Sequence, residues 1–450
     1  MDLRKDLERI AAVSLEAVNP RAIIARCMRV QGDFLRVETP DARKDFELAR
    51  FGRVFVLGFG KAAGPMAQAV EEILGHRIAK GLVVVKPGRE VPLQRIRQMV
   101  GGHPVPDQNS VRAAAEIAAL ADEADEHTLV IVLVSGGGSA LLSAPLDTAG
   151  SVTLGDIQQT TRRLLACGAS IAEVNCVRKH LLLLAGGRLA QRIAPASSLT
   201  LALSDVVGND FQTIASGPTS PDDSTYESAL SIIQRFRIGA DLPKTIMDFL
   251  ARGAAGKIPE TPKPGAPELS PAFRFLAGTN MLALEGAASE AARLGYDTII
   301  LTSHLVGEAR EAARVIAAVA KDAAAGGLPC ARPACILAGG ETTVTVLGEG
   351  KGGRNQEMAL AFLEEIDKDP HTLSGTRFLA FSTDGEDGPT DAAGGFAFPA
   401  LSAAARDARV RAADFLRTND SYAFLQRLGG LFMTGPTDTN VCDIQIVLIE

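Results

Sequence analysis

Residues 129–140 read LVIVLVSGGGSA, and this stretch decides the fold class. Its first half, Leu129–Val134, is apolar without alternation, which is typical of a strand buried on both faces. Ser135-Gly136-Gly137-Gly138-Ser139 follows directly, and consecutive glycines let a ligand or another backbone come close. The stretch therefore predicts a parallel strand that ends in a ligand-binding turn. A tight strand-to-helix turn without a ligand is the alternative.

The same pattern recurs on both sides of this stretch. Short apolar runs end in glycine or polar residues and are separated by helical stretches, as in Arg53–Leu57, Leu82–Val85 and Ser198–Leu203. Strands that alternate with helices in this way predict an α/β fold with a Rossmann-like, doubly wound parallel sheet.

A proline-rich stretch divides the chain. Five prolines lie between Lys257 and Pro271, and proline disfavours both helix and sheet interior. We predict an N-terminal domain over residues 1–257, a linker over 258–271 and a C-terminal α/β domain over 272–450. The C-terminal strands are predicted at Phe273–Leu276, Asp297–Leu301, Cys335–Ala338, Thr342–Leu347, Arg377–Phe381 and Asp443–Ile449.

Composition excludes several classes of function. The net charge is −7, Trp is absent and Tyr occurs three times, so a nucleic-acid interface is not expected. No apolar run reaches about 18 residues and no signal peptide is recognisable, which predicts a cytoplasmic protein without a membrane span. The six cysteines have no zinc-ligand spacing and are expected to be buried thiols. The sequence does not determine the oligomeric state, and a homodimer is compatible with it.

Ligands of open α/β sheets bind beyond the carboxyl ends of the strands, so residues there are the candidates. Gly58, Gly60 and Lys61 follow the first strand, where glycines and a helix N-terminus favour an anion. Lys61 places a cation where the helix dipole is already positive, which is unfavourable unless an anion lies nearby. Asp205, after Leu203, is a candidate acceptor of a proton, whereas Asp210 either binds a ligand or caps the next segment.

Two loops of the second half carry further candidates. Gly352 and Gly353 precede Arg354, whose planar fork suits a carboxylate or a phosphate. Asp384 and Asp387 follow a predicted strand and are candidate ligands of Mg²⁺, with turn formation and helix capping as the alternative. His103 and His180 are interpreted as ordinary structural histidines.

Together these stretches resemble the glycerate 2-kinase family, whose C-terminal part is the MOFRL domain. The resemblance runs in order along nearly the whole chain, through Gly58–Ala63, Gly102–Asp107, Ser135–Ala140, Glu173–His180, Ser204–Val206, Ser216–Thr219, Gly339–Thr343, Gly352–Glu357 and Ser382–Gly385.

The resemblance implies ATP and Mg²⁺ as cofactors, D-glycerate as acceptor and 2-phosphoglycerate as product. It implies that Lys61 and Arg354 face each other across an interdomain cleft as catalytic groups, with Asp205 nearby. The residues expected to bind substrate or nucleotide are Gly58, Gly60, Ser135, Gly136, Gly137, Gly138, Ser139, Asp210, Glu341, Gly352, Gly353 and Asn355.

Two rival functions stay open. An NAD(P)-dependent hydroxypyruvate reductase would share the substrate skeleton and the sheet, but the dinucleotide fingerprint requires an acidic residue where this chain has Lys86. A non-catalytic sugar-acid sensor would use the same cleft without turnover.

Overall fold

A computed structural model describes residues 3–146 and 151–450. The helices are α1 (Leu3–Ala17), α2 (Pro20–Cys27), α3 (Ala63–Leu74), α4 (Gln108–Asp122), α5 (Gly138–Leu141), α6 (Leu154–Ala166), α7 (Ile171–Lys179), α8 (Arg188–Ile193), α9 (Tyr226–Arg235), α10 (Lys244–Ala254), α11 (Asn280–Arg293), α12 (Ala309–Gly326), α13 (Arg354–Lys368), α14 (Pro399–Asp407), α15 (Ala412–Arg417) and α16 (Ser421–Leu428).

The strands form three sheets. They are β1 (Met28–Gln31), β2 (Phe34–Thr39), β3 (Ala42–Glu47), β4 (Arg53–Phe59), β5 (Ile78–Val85), β6 (Arg97–Val100), β7 (Thr128–Val134), β8 (Ser197–Leu203), β9 (Ala272–Gly278), β10 (Asp297–Leu305), β11 (Ala334–Gly340), β12 (Thr376–Ser382), β13 (Gly394–Ala397), β14 (Leu431–Phe432) and β15 (Asp443–Ile449).

The chain divides into two compact units. The larger unit is Pro20–Ala277, and the smaller unit joins the residues up to Asn19 to Gly278–Glu450. In the smaller unit α1 lies so close to α11 that a Cβ added to Gly286 would meet Ala17 Cβ at 2.6 Å. The N-terminal helix therefore belongs with the C-terminal half of the chain, which the sequence did not predict.

The larger unit contains the predicted parallel sheet. Its strand order is β6-β5-β4-β7-β8-β9, and the four pairings from β6 to β8 are parallel. Every residue of β7 is buried, as the uninterrupted apolar run predicts. The Rossmann-like α/β prediction is confirmed. A small antiparallel sheet, β1-β2-β3, was not predicted.

The smaller unit contains a mixed sheet of order β10-β11-β15-β12-β13-β14, in which only the β10–β11 pair is parallel. Residues 355–363 of α13 are all buried, so this helix is the centre of the unit. The expected strand Thr342–Leu347 is absent, although Thr343 forms an isolated bridge with Glu308. Val346 and Leu347 at its end are exposed, although Val344 packs against the core of the unit.

The domain boundary lies elsewhere than the prolines suggest. The proline-rich stretch belongs to the larger unit, and the division falls between Ala277 and Gly278. Buried contacts hold the stretch: Asp222 N donates to Pro262 O at 2.9 Å, and Thr261 Oγ1 donates to Asp222 Oδ2 at 3.0 Å. The strand expected to open the second domain becomes β9, beside β8. Proline prevents regular structure, but it does not prevent a segment from packing.

Two other expectations concern the whole chain. All six cysteines are free thiols, and only Cys167 is not fully buried. Among the described helices, none combines the length and apolar character that crossing a bilayer requires.

Candidate active site

One candidate site, in the larger unit, surrounds the glycine loop, Ser135–Ser139, which follows β7. A Cβ added to Gly136 would lie 2.2 Å from Asp205 Oδ2. One added to Gly137 would lie 2.8 Å from the ring of His103 and 3.6 Å from Lys61 Cγ. A Cβ at these positions would overlap Asp205 or His103, whereas Lys61 lies at an ordinary contact distance. The sheet thus brings together three polar side chains from three different strand ends.

The glycine loop is fixed by the loop that follows β4. Gly60, at a φ of +129°, passes so close that an added Cβ would meet Ser135 Oγ. Lys61 N donates to Gly136 O at 2.9 Å, and Ala62 N donates to Ser135 Oγ at 3.0 Å. Ser135 N in turn donates to Phe59 O at 3.2 Å. These bonds set the backbone of both loops before any ligand is bound.

The loop before α3 uses most of its own amides. Lys61 N, Ala62 N and Ala63 N have protein acceptors, and binding of an anion at the start of α3 stays a prediction. The amides of Gly136 and Gly137, by contrast, donate to no described residue. The glycine loop therefore offers available backbone donors. Gly60 allows the two loops to pack, whereas Gly58 lies within β4 against Val83 and Leu133 of the neighbouring strands.

The Asp210 carboxylate binds the segment that directly follows it, as the capping alternative predicts. It lies on the exposed side of the loop after β8, where its carboxylate accepts from Gln212 N at 3.0 Å and from Thr213 Oγ1 at 2.8 Å. This is the geometry of an Asx turn. A binding role for Asp210 stays a prediction.

Hydroxyl groups extend the glycine loop. Ser139 Oγ lies 2.7 Å from Ser216 Oγ, and Ser216 Oγ donates to Asn175 Oδ1 at 3.1 Å. Ser216 and Asn175 lie in two of the stretches that carry the family resemblance, but neither was predicted as a site residue. A serine or asparagine in a loop gives no signal of its partners, which lie 77 and 41 residues away in the chain.

A small pocket beside Ser139 is not a substrate site. Its volume is about 10 Å³, and it is lined by apolar groups including Phe59, Leu142 and Leu184. That volume is at the lower limit for one water molecule. A ligand of the glycine loop must therefore lie on its solvent side.

A second candidate site lies in the smaller unit. It consists of Arg354 and four carboxylates, which we call the arginine cluster: Glu341, Asp384, Asp387 and Asp443. Arg354 binds Asp443 at two points, Nε to Oδ2 at 2.5 Å and Nη2 to Oδ1 at 2.9 Å. Its Nη1 donates to Glu341 Oε1 at 2.7 Å. Three of the five guanidinium N–H donors are thus engaged by protein, and two are left for a ligand.

Burial and the attraction between opposite charges shift the pKa values of the arginine cluster in opposite directions. Burial raises the pKa of the Asp443 carboxyl and of Glu341, against the pull of the Arg354 guanidinium. Burial alone would lower the pKa of Arg354, but the carboxylates outweigh it and raise that pKa. Asp443 was not predicted as a site residue. A single charged residue at the start of an apolar strand could have indicated a buried ion pair there.

Asp384 and Asp387, the two candidate ligands of Mg²⁺, differ in burial. Asp387 is buried and caps α13: its oxygens accept from Asn355 N at 3.1 Å and from Gln356 N at 2.9 Å. Burial raises the pKa of Asp387 to about 6. Asp384 is partly exposed, and its Oδ1 accepts from Ser382 Oγ at 2.9 Å and from Glu386 N at 3.1 Å. Within residues 3–146 and 151–450, no three His, Cys, Asp or Glu side chains are arranged to hold a metal ion.

The remaining predicted residues of the smaller unit support the arginine cluster. A Cβ added to Gly353 would meet the Asp387 carboxyl at 2.2 Å, and one added to Gly352 would meet Ser421 Oγ at 2.1 Å. Asn355 Nδ2 donates to Asp387 Oδ1 at 3.2 Å. These glycines bring the start of α13 close to its neighbours, and contact with a substrate stays a prediction. That Lys61 and Arg354 face each other also stays a prediction.

Comparison with known proteins identifies the family. The model of a domain of unknown function, DUF4147, matches residues 6–251, and the MOFRL family model matches residues 334–443. A glycerate 2-kinase of Pyrococcus horikoshii is 38% identical over 450 residues, which cover 100% of this chain and 98% of the relative.

Two further comparisons are informative. The crystal structure of a glycerate kinase of Thermotoga maritima has a TM-score of 0.85 and 37% identity, over 100% of this chain and 99% of that one. A protein of Agrobacterium vitis, provisionally named a hydroxypyruvate reductase, is 42% identical over 400 residues, 88% of this chain and 87% of the relative. With matches of this identity along its whole length, the chain belongs to the glycerate 2-kinase family.

Proposed function

We propose that this chain is an ATP-dependent D-glycerate 2-kinase, which transfers the γ-phosphoryl group of ATP to the 2-hydroxyl of D-glycerate and forms 2-phosphoglycerate and ADP. One observation carries the proposal. A cationic side chain, Lys61, and a carboxylate, Asp205, meet at a glycine loop with available amides, at the carboxyl end of a parallel sheet. Phosphoryl transfer needs these groups, because it depends on positioning and charge neutralisation.

Asp205 is the proposed proton acceptor. It takes the proton of the 2-hydroxyl as that oxygen attacks the γ-phosphorus and the bond to the leaving ADP breaks. Its carboxylate rests against Gly136, so the attacking hydroxyl would lie beside the glycine loop. Lys61 neutralises charge on the transferring group, and the amides of Gly136 and Gly137 bind its oxygens.

Arg354 contributes from the smaller unit. Its fork is held by Asp443 and Glu341, so its orientation is set before a ligand arrives. The two remaining N–H donors suit a phosphate or the glycerate carboxylate. A preorganised donor of this kind costs no rearrangement during the reaction.

Asp384 and Asp387 are the proposed candidates for holding Mg²⁺. Asp384 is partly exposed, and both oxygens of Asp387 accept hydrogen bonds at the start of α13. Mg²⁺ in kinases is usually held by one or two carboxylates together with phosphates, so a protein cage of three ligands is not required. When bound, it would neutralise phosphate charge.

A coupled assay tests the proposal. Purified protein receives D-glycerate, ATP and Mg²⁺, with enolase, pyruvate kinase and lactate dehydrogenase to report the product. NADH oxidation without phosphoglycerate mutase supports direct formation of 2-phosphoglycerate. Oxidation only when the mutase is added means 3-phosphoglycerate and refutes the proposed regiochemistry. No oxidation in either case refutes the proposed activity.

A hydroxypyruvate reductase is the second candidate, because of the name of the Agrobacterium vitis relative. Against it, Lys86 directly follows β5, where a dinucleotide-binding sheet has an acidic residue for the ribose. NADH oxidation by the protein with hydroxypyruvate alone, without ATP and coupling enzymes, would favour it.

A further inference from the structure

A chain of three polar side chains leads from the glycine loop into the larger unit. It consists of two hydroxyls and one amide oxygen, Ser139 Oγ, Ser216 Oγ and Asn175 Oδ1, joined by contacts of 2.7 and 3.1 Å. We call it the hydroxyl chain. Ser216 is 0% exposed and Asn175 4% exposed, whereas Ser139 is partly exposed. Only the first member of this hydroxyl chain can therefore meet a ligand.

The buried end determines the direction of the hydrogen bonds. Asn175 Oδ1 is an amide oxygen and can only accept, so the single proton of Ser216 points toward it. Ser216 Oγ must then accept from Ser139, which uses the single proton of Ser139. The oxygen of Ser139 is left with lone pairs alone, so it accepts a hydrogen bond from a ligand and donates none.

The backbone holds Ser216 firmly. Ala215, Ser216 and Gly217 have φ values of +50°, +62° and +61°, a conformation that L-residues rarely adopt. Gly186 N donates to Ser216 O at 2.9 Å, and Gly187 N donates to Gly217 O at 2.7 Å. The turn is thus over-determined by its surroundings, which is how a strained backbone persists at a functional site.

We propose that Ser139 determines acceptor specificity by accepting a hydrogen bond from the second hydroxyl of the acceptor, the one that is not phosphorylated. This inference rests on the proposed function, in which Asp205 takes the proton of the reacting hydroxyl. Asp205 lies against Gly136, which belongs to the same glycine loop as Ser139 and precedes it by three residues. Ser216 and Asn175 are positioning residues that keep Ser139 an acceptor.

A comparison of D-glycerate with D-lactate, which lacks the 3-hydroxyl, tests this. Sites built to bind a hydroxyl strongly reject analogues without it, so the wild-type protein should prefer glycerate by far. Ser139→Ala should lower kcat/KM for glycerate roughly 10-fold or more, mainly because KM rises. The kcat/KM for lactate should stay nearly unchanged. Ser216→Ala should also reduce the preference for glycerate over lactate.

Ser143→Ala is the matched control. Ser143 is buried and donates to the backbone oxygen of Ser139 at 2.7 Å, outside the hydroxyl chain. It should lose stability without a change in the glycerate-to-lactate ratio. An unchanged ratio of the two kcat/KM values in Ser139→Ala, whether or not both values fall, would overturn the inference.

Calorimetry separates this inference from the proposed function. If the wild-type protein phosphorylates neither acid, the proposed kinase activity fails, and binding of glycerate and lactate then decides the role of Ser139. Stronger binding of glycerate that disappears in Ser139→Ala supports the specificity role. Equal binding of the two acids by the wild-type protein refutes it.

Discussion

Arg354 and Asp443 form a two-point ion pair in which the arginine is 29% exposed and the carboxylate is completely buried. The pair joins the first residue of α13 to the first residue of β15. A buried carboxylate needs its cation, since a charge without a partner in the interior is strongly unfavourable. Arg354 therefore has a structural role in addition to the proposed catalytic one.

Arg354→Ala should separate these roles. Removal of the guanidinium leaves the Asp443 charge buried and should cost about 3 to 5 kcal/mol of unfolding free energy in urea titrations. Arg354→Lys keeps the charge but loses the fork, so it should cost less stability while kcat still falls. Arg417→Ala is the control: its pair with Asp414 is exposed and should change stability by less than about 1 kcal/mol. Equal stability of Arg354→Ala and Arg417→Ala would contradict the structural role.

Lys61→Ala should impair the reaction. We expect kcat to fall by roughly 10²-fold or more in the coupled assay, the loss typical of one electrostatic donor. Thermal unfolding of the same variant measures any accompanying change in stability. Lys80→Ala removes another lysine of the larger unit, one that pairs with Glu123 on the surface, and should leave kcat as it is. An unchanged kcat in Lys61→Ala would remove this residue from the mechanism.

Gly136→Ala tests the close approach of Asp205. The new methyl group would overlap the carboxylate and displace it, so kcat should fall sharply while the protein still folds. Gly52→Ala is the matched control, because an added Cβ there has nothing within 4 Å. Wild-type kcat in Gly136→Ala would show that the position of Asp205 is not critical.

The lowered pKa of Asp222 predicts that the folded protein loses stability in acid. Burial on its own raises the pKa of Asp222, but the Lys179 ammonium and Ser224 outweigh it and hold the pKa below its usual range. The unfolded chain therefore takes up the proton first as pH falls. The stability that Asp222 contributes is present above about pH 4 and is lost as pH falls through the folded-state pKa.

Asp222→Asn isolates this contribution. The Lys179–Asp222 pair spans 3.1 Å and is nearly fully buried, so the variant should lose about 3 kcal/mol or more at pH 7. The difference from wild type should shrink below about pH 4, as measured by urea unfolding at pH 7, 5 and 3. Asp241→Asn, in an exposed pair with Arg163, should show little effect. A difference that does not depend on pH would contradict the assignment.

The sequence by itself determined the parallel sheet and the loops that were predicted to form the site. Short continuous apolar runs that end in glycines, such as Leu129–Val134, are typical of strands buried on both faces, and the carboxyl ends of parallel strands meet at one edge of the sheet. Lys61, Asp205 and the glycine loop could therefore be named in advance. The motifs in chain order also identified the family.

Only the tertiary structure decided the rest, because it depends on contacts between residues that are distant in the chain. Asp443 became the partner of Arg354, Ser216 and Asn175 joined Ser139, and α1 joined the smaller unit. The proline-rich stretch packed against Asp222 instead of forming a boundary. Local patterns report whether a segment is buried, but its neighbours are selected by packing and hydrogen bonding in three dimensions.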